Sequence, residues 1–165
     1  MSSRLFAAAW PPGPVLDQLA ALDRPDEPGV RWTQRDQWHV TLRFLGECDV
    51  GEAAAALDAA VLPPAGATLG PAVARLGRSV IAVPVAGLDD LVAAVVRATG
   101  AVGRRPESRP AGNHLTLART RGRRHSALIG EPFSARFPVD AVHLVESRSG
   151  PGGVTYESRS SRRTR

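Results

Sequence analysis

Two stretches of the chain alternate between polar and apolar residues around a histidine and a threonine. The first is His39-Val40-Thr41-Leu42-Arg43-Phe44-Leu45, and the second is Asn113-His114-Leu115-Thr116-Leu117-Ala118. Successive side chains of a strand point to opposite faces, so this pattern predicts two strands. One face of each strand is apolar and packs on a core, while the other presents the histidine and the threonine.

The rest of the pattern predicts further strands and short helices. Apolar runs between glycine and proline breakers predict strands over 5–10, 30–33, 68–75, 79–85, 133–137 and 141–147, with a last extended piece at 154–156. Helices are predicted over 14–22, 51–62 and 88–99. We expect Gly46 to end the first histidine strand. Residues 1–157 are then one domain, and the polar, arginine-rich residues 158–165 are expected to be disordered.

The chain repeats its order of strand, helix, connector and histidine strand. The same number of positions separates Phe6 from His39 as separates Ile81 from His114. Matched spacing of matched elements indicates an internal duplication. A pseudo-twofold arrangement of the two halves would place the two motifs face to face.

Composition limits the class of protein. The chain has 165 residues, of which 43% are hydrophobic and 22% charged, as in an ordinary globular domain. Cys48 is the single cysteine, so no intramolecular disulfide forms, and no apolar run is long enough to cross a bilayer. A cytoplasmic monomer with no membrane partner is the expectation.

The positive charge of the chain is all arginine. The net charge is +5, and the 21 basic residues include no lysine. Seven arginines lie near the second histidine in sequence: Arg104, Arg105, Arg109, Arg119, Arg121, Arg123 and Arg124. The guanidinium fork suits phosphate oxygens, so the cluster fits a surface that faces RNA. An ordinary solvated loop fits it as well.

The two motifs suit the cleavage of a phosphodiester. One imidazole can deprotonate water while the other protonates the departing oxygen, and histidine titrates near neutral pH, as both roles require. Thr41 and Thr116 can hold the non-bridging oxygens, and Arg43, on the same predicted face, can offset the growing negative charge. These residues alone do not say which histidine is the acid.

Other residues with chemical potential have simpler expected roles. Cys48, His125 and His143 are not spaced as a metal site, so no metal is expected. We expect His125 at the surface, and His143 and Trp38 in the core. Trp32 is expected to pack rather than to stack on a base.

The two histidine motifs resemble the two signatures of the 2H phosphoesterase superfamily, in its bacterial and archaeal branch of RNA 2',3'-cyclic phosphodiesterases, also called 2'-5' RNA ligases. The resemblance lies in the runs 39–47 and 114–119 and extends over most of the chain. It includes Arg4-Leu5-Phe6, Val30-Arg31-Trp32, Glu146-Ser147-Arg148, Gly150-Pro151-Gly152-Gly153 and Tyr156-Glu157.

The resemblance implies an α+β fold that is bilobal, with two antiparallel sheets and flanking helices related by pseudo-twofold symmetry around a central cleft. It implies hydrolysis of a terminal 2',3'-cyclic phosphate of RNA to a 2'-phosphomonoester, without a cofactor. His39 would be the proton donor to the leaving 3'-oxygen and His114 the base. Thr41, Thr116, Arg43 and Arg119 are the expected substrate contacts.

The sequence also departs from the family pattern. Ala111-Gly112-Asn113 stands where an aromatic residue and a proline usually precede the second histidine, and the C-terminus is polar instead of apolar. Three alternatives stay open. The same site fits 2'-5' ligation, and it fits a small cyclic nucleotide or ADP-ribose cyclic phosphate as substrate. A non-catalytic RNA-binding module is the third alternative.

Overall fold

The computed structural model describes residues 1–108 and 112–165, which form three helices and ten strands. The helices are α1 (Gly13–Ala20), α2 (Val50–Asp58) and α3 (Asp89–Thr99). The strands are β1 (Ser2–Ala9), β2 (Val30–Trp32), β3 (Val40–Asp49), β4 (Ala65–Leu69), β5 (Ala74–Leu76), β6 (Val80–Ala86), β7 (His114–Thr120), β8 (Ala135–Val139), β9 (Ala141–Gly150) and β10 (Gly153–Arg163). Within the described ranges, no helix has the length and hydropathy needed to span a membrane.

The strands form one strongly curled antiparallel sheet in an α+β fold. Its order is β10-β9-β1-β3-β7-β6-β4-β8, with β2 added to β7 and β5 added to β6. The central strands β3 and β7 meet at a single pair, Val40 and Leu115. The two sheets expected from the sequence are therefore joined into one, because the histidine strands themselves pair.

The strand order is symmetric about the β3–β7 junction. Moving outward, β1 corresponds to β6, β9 to β4 and β10 to β8. Helix α1 lies between β1 and β3 in the chain, as α3 lies between β6 and β7. This order has the approximate twofold symmetry that the matched spacing indicated.

The helices share one large core with the sheet. Apolar residues of β3, β7 and the helices pack there, among them Val40, Leu115, Leu57 and Val95, each with no exposed surface. Truncating such a side chain to alanine typically destabilises a domain by about 2–5 kcal/mol. A smaller cluster, Phe6, Ala8 and Val145 with Trp10 and Tyr156, lies apart from it. Phe6 and Ala8 alternate along β1 with Leu5, Ala7 and Ala9 of the large core, so the small cluster lies on the opposite face of the sheet.

Two predicted strand boundaries are wrong. Gly46 does not end β3, which continues to Asp49. Gly46 has a φ of +74°, and the register with β1 shifts between Leu5 and Phe6, so the pairing with β1 continues past the glycine. The strand predicted over 68–75 is two strands, β4 and β5. Between them lies Gly70, where a Cβ would be 2.1 Å from the carbonyl oxygen of Phe133, so only glycine fits.

The predicted disordered tail is also wrong. Strand β10 runs through Arg163 and pairs with β9 over its whole length. The Arg162 side chain donates to the Ala60 carbonyl (2.9 Å), and the Arg165 N–H donates to the Leu62 carbonyl (2.9 Å). Ladder bonds need no apolar side chains, and a polar, charged composition is typical of an edge strand.

Candidate active site

The two histidine motifs meet at the centre of the sheet. Val40 and Leu115 face each other across the β3–β7 junction, and both side chains are fully buried in the large core. The residues on either side of this pair point to the opposite face of the sheet. They are His39, Thr41, His114 and Thr116.

The antiparallel register fixes how these four side chains are arranged. Extending it by one residue from the central pair sets His39 opposite Thr116 and Thr41 opposite His114. In a regular antiparallel pair, opposed residues have Cβ atoms roughly 4.5–5.5 Å apart, and diagonal neighbours are about 7–8 Å apart. The Asn113 side-chain amide donates to the Thr41 carbonyl (3.0 Å) and links the two motifs again. Two imidazoles and two hydroxyls thus share one patch of surface.

Both imidazoles are held in the same way. The Nδ1 of His39 lies 2.7 Å from the Gln37 carbonyl, and the Nδ1 of His114 lies 3.3 Å from the Gly112 carbonyl. A carbonyl only accepts, so each Nδ1 carries the proton. Each Nε2 is then presented to the site, and that of His39 is 3.1 Å from the Thr41 hydroxyl.

His39 lies among three aromatic rings. The ring centroids of Phe6, Trp10 and Tyr156 lie 4.8, 5.6 and 5.1 Å from that of His39. Phe6 and Trp10 come from one face of β1 and its C-terminal extension, and Tyr156 comes from β10. Phe6 and Trp10 were not among the predicted site residues, although their spacing around Ala8 places all three on one strand face.

These rings change the proton affinity of His39. Burial lowers the pKa of His39 below the ordinary value for histidine, and the positive charges of His114 and Arg119 lower it further. The bond to the Gln37 carbonyl opposes this shift. In the unliganded protein, His39 is therefore neutral near neutral pH.

The surroundings of His114 are open. Beside His114 and Thr41 lies a cavity of about 510 Å³ between β3, α3 and the segment that follows α3, within the size range of small-molecule sites. Its walls combine apolar, basic and acidic residues: Leu42, Phe44, Val92, Ala93, Val96, Arg43, Arg104, Arg105, Asp89 and Glu107. A mixed wall of this kind can contact both the rings and the phosphates of a nucleotide.

Known proteins share this sequence pattern and fold. The family model of LigT-like phosphoesterases matches residues 10–63, which include the first histidine motif. A crystal structure of a phosphoesterase matches with a TM-score of 0.82 at 23% identity, covering 99% of both chains. E. coli LigT complexed with 3'-AMP matches with a TM-score of 0.81 at 23% identity, also over 99% of both chains. Apo E. coli LigT matches with a TM-score of 0.74 at 25% identity, over 99% of this chain and 98% of that one.

The chain is similar to LigT-like phosphoesterases in sequence over residues 10–63 and has the fold of E. coli LigT. No curated protein matches the chain by sequence. The second motif lies outside the range that the LigT-like family model matches.

A bulge in β3 of this LigT-like fold changes the predicted face of one residue. Ala8 faces Thr41 and Ala7 faces Arg43, so Leu42 is an extra residue in the ladder. The bulge shifts the alternation by one position, and the prediction that Arg43 shares the face of Thr41 is therefore wrong. The Arg43 side chain is buried, with 6% of its surface exposed, and donates to main-chain and side-chain oxygens next to α3. Arg43 borders the cavity beside His114, and its predicted contact with a phosphate stays a prediction.

Strand β7 has the matching bulge. Ala82 faces Thr116 and Ile81 faces Ala118, so Leu117 is the extra residue. Arg119, beyond the bulge, is exposed, and its charge is among those that lower the pKa of His39. The predicted contact of Arg119 with the substrate stays a prediction.

The arginines that cluster in sequence separate in the LigT-like fold. Arg104 and Arg105 border the cavity beside His114. Arg121, Arg123 and Arg124 lie past the opposite end of β7, where the Arg121 N–H donates to the Gly29 carbonyl (2.9 Å). Arg109 and Ala111 lie outside the described residues.

Of the remaining predicted placements, some agree with the structure and that of His143 does not. Trp38 is buried, with 1% exposed, and His125 is exposed, as predicted. The Trp32 indole donates to the Pro25 carbonyl (2.8 Å), which suits a packing role. His143 is not a core residue: it is half-buried opposite Ala8 and hydrogen bonds to the Ser158 hydroxyl (3.1 Å). Over residues 1–108 and 112–165, no group of three or more metal-ligating side chains is found.

Proposed function

We propose that this LigT-like protein hydrolyses the terminal 2',3'-cyclic phosphate of RNA to a 2'-phosphomonoester, with His39 and His114 as the acid–base pair. The observation that carries the proposal is the single Val40–Leu115 pair, because it sets both imidazoles and both threonine hydroxyls on one face of the sheet. Each imidazole is oriented by a carbonyl at Nδ1, so both Nε2 atoms are available to the reacting groups.

The reaction is one displacement at phosphorus. His114 Nε2 takes a proton from water as the water oxygen bonds to phosphorus. The bond between phosphorus and the 3'-oxygen breaks, and His39 Nε2 gives its proton to that oxygen. The phosphoryl group stays on the 2'-oxygen. This order of the two roles follows the family resemblance.

The buried position of His39 suits an acid that is charged only with substrate present. Burial disfavours the imidazolium and lowers the pKa of His39 in the free protein. A phosphate anion next to Nε2 stabilises the imidazolium, so the proton is bound together with the substrate. Once the phosphate is engaged, the buried imidazolium is a strong proton donor to the leaving oxygen.

The hydroxyls and one arginine complete the site. The Thr41 and Thr116 hydroxyls can donate to the non-bridging oxygens, and Arg119 can offset the charge that grows on them. The cavity beside His114 has room for the nucleoside that bears the phosphate. Similar proteins bind such molecules, since E. coli LigT has been crystallised with 3'-AMP and with ATP.

Product analysis tests the proposal. An oligonucleotide with a 2',3'-cyclic phosphate end is incubated with the protein in excess EDTA, and the His39→Ala/His114→Ala double variant is the control. We expect a 2'-phosphate end from the unaltered protein alone. A 3'-phosphate end would contradict the regiochemistry, joining to a 5'-hydroxyl would indicate ligation, and binding without turnover would indicate an RNA-binding module.

A further inference from the structure

The segment 101–107, which connects α3 to the second histidine strand, packs against the first histidine strand. Its Arg104 N–H donates to the Leu45 carbonyl of β3 (2.7 Å). Arg104 and Arg105 of this segment border the cavity beside His114. The position of the segment therefore decides where two positive charges stand relative to the site.

Arg43 is the main polar link between β3 and this segment. Its Nη2 donates to the Val102 carbonyl (3.1 Å) and to the Arg104 carbonyl (2.7 Å). Its Nη1 donates to the carbonyl and the hydroxyl of Thr99, at the end of α3. The C-terminal end of a helix carries partial negative charge, which favours a cation there.

Two glycines allow the close approach. At Gly103 (φ +68°) a Cβ would lie 2.3 Å from the Leu45 carbonyl oxygen. At Gly46 (φ +74°) a Cβ would lie 2.9 Å from the Cγ and Cδ of Arg104, so the stem of that arginine lies directly on the glycine. Arg43, Gly46 and Gly103 together allow the segment 101–107 to pack closely on β3.

In the other half of the molecule, the connector is held against the opposite histidine strand in a different way. Its connector is β2, which pairs with β7 through regular ladder bonds, with Trp32 opposite Ala118. Ala118 is the counterpart of Arg43, because each follows the bulged leucine of its histidine motif. Ala118 makes no side-chain hydrogen bond to β2, because the ladder bonds already hold that strand. The segment 101–107 is irregular, and the Arg43 guanidinium binds its carbonyls.

We propose that Arg43 is a positioning residue for substrate binding, which holds the segment 101–107 on β3 so that Arg104 and Arg105 meet the phosphates of RNA. This proposal rests on the proposed function, in which the cavity beside His114 receives the nucleotide. It assigns Arg43 to the binding step and leaves proton transfer to the two histidines.

Kinetics of Arg43→Ala on a cyclic-phosphate-ended oligonucleotide test the role. We expect KM to rise about tenfold while kcat changes less than about threefold, because the variant displaces binding charges and not the acid or the base. In a background that carries Arg104→Ala and Arg105→Ala, the same substitution should raise KM little further, since residues that act through each other are not additive. Gly103→Ala, which pushes the segment off Leu45 with Arg43 intact, should reproduce the KM effect.

Hydrogen exchange of the segment separates this proposal from the proposed function. The amides of 101–107, above all that of Arg104, should exchange faster in Arg43→Ala and Gly103→Ala than in the unaltered protein. Val142→Ala, a core truncation in β9, serves as the matched control and should leave them unchanged. Unaltered exchange in the Arg43 variant, a fall in kcat at constant KM, or additivity with the Arg104/Arg105 variant would overturn the positioning role. Absence of turnover by the unaltered protein would overturn the proposed function alone.

Discussion

The two histidines have the same local geometry and different surroundings. Each bonds through Nδ1 to the carbonyl two residues before it, and each precedes a bulged strand. His39 is enclosed by aromatic rings, whereas His114 borders an open cavity with arginines on its wall. The shared strand geometry orients the two imidazoles, and burial among its neighbours lowers the pKa of His39.

The neighbouring strands explain this difference. In the register with its histidine strand, Pro84 of β6 faces His114. Extending the register of β1 by one residue beyond Ala9 gives Trp10 the same relation to His39. One half thus places an indole where the other places a small saturated ring. A duplicated backbone with different strand neighbours is sufficient to make two identical motifs chemically unequal.

Removing either imidazole should have the largest effect. His39→Ala and His114→Ala should each lower kcat by about 10²–10⁴-fold, the usual contribution of general acid–base catalysis. The double variant should lose less than the product of the two losses, because both groups serve one displacement. A phosphodiester with a nitrophenolate leaving group, which needs no proton, should restore activity to the His39 variant and not to the His114 variant. Equal rescue of both, or of neither, would remove the distinction between the halves.

Removing the positive charge from the cavity of the His114 half should have a smaller effect. Arg104→Ala with Arg105→Ala should weaken RNA binding and lower the slope of log K against log salt by roughly 1.4, at about 0.7 per phosphate contact on single strands. Binding isotherms over a range of salt give the slope. Arg123→Ala with Arg124→Ala, beyond the far end of β7, is the matched control. If the control lowers the slope equally, RNA does not enter through the cavity.

The aromatic enclosure can be opened without touching the histidine. Tyr156→Ala should admit water to His39 and raise the pKa of that imidazole toward its ordinary value, moving the alkaline limb of kcat/KM to higher pH. Tyr156→Phe retains the ring and should keep the profile of the unaltered protein. An alkaline limb that stays in place in Tyr156→Ala would show that the rings do not control the acid.

The smallest expected effect is on stability. Because burial lowers the pKa of His39 and of His143 in the folded chain, the unfolded chain binds more protons below about pH 6.5, and stability falls as the pH drops through that value. Melting temperatures between about pH 7.5 and pH 5.5 should therefore decline. The decline in melting temperature should be smaller in His39→Gln than in the unaltered protein. In the exposed control His125→Gln it should be as large as in the unaltered protein. An increase of stability on acidification in this window would contradict the buried, neutral state of His39.

The sequence predicted the centre of the site better than its periphery. Period-two alternation placed His39 and Thr41 on one face, and this holds because no bulge lies between them. The same alternation predicted the wrong face for Arg43. The extra residue at Leu42 arises from the pairing of β3 with β1, so it cannot be recognised in the motif itself. Tyr156 reaches His39 only through the order β10-β9-β1-β3, which no local pattern contains.

The prediction of a disordered C-terminus was wrong for a related physical reason. Composition distinguishes chains that bury apolar surface from chains that do not, and residues 158–165 bury little. Their order comes from ladder bonds to β9 and from single bonds such as that of Thr164 to the Val139 carbonyl (2.8 Å). Such bonds depend on a partner that is distant in sequence, so the segment alone does not predict them.

The pH dependence of kcat/KM in the two single variants tests most directly whether the two halves do different work. The unaltered protein should give a bell-shaped profile on a cyclic-phosphate-ended oligonucleotide, because one histidine must be protonated and the other neutral. His39→Ala should lose only the alkaline limb and His114→Ala only the acidic limb. If both variants lose the same limb, or if either keeps both limbs, the assignment of His39 as the acid and His114 as the base is contradicted.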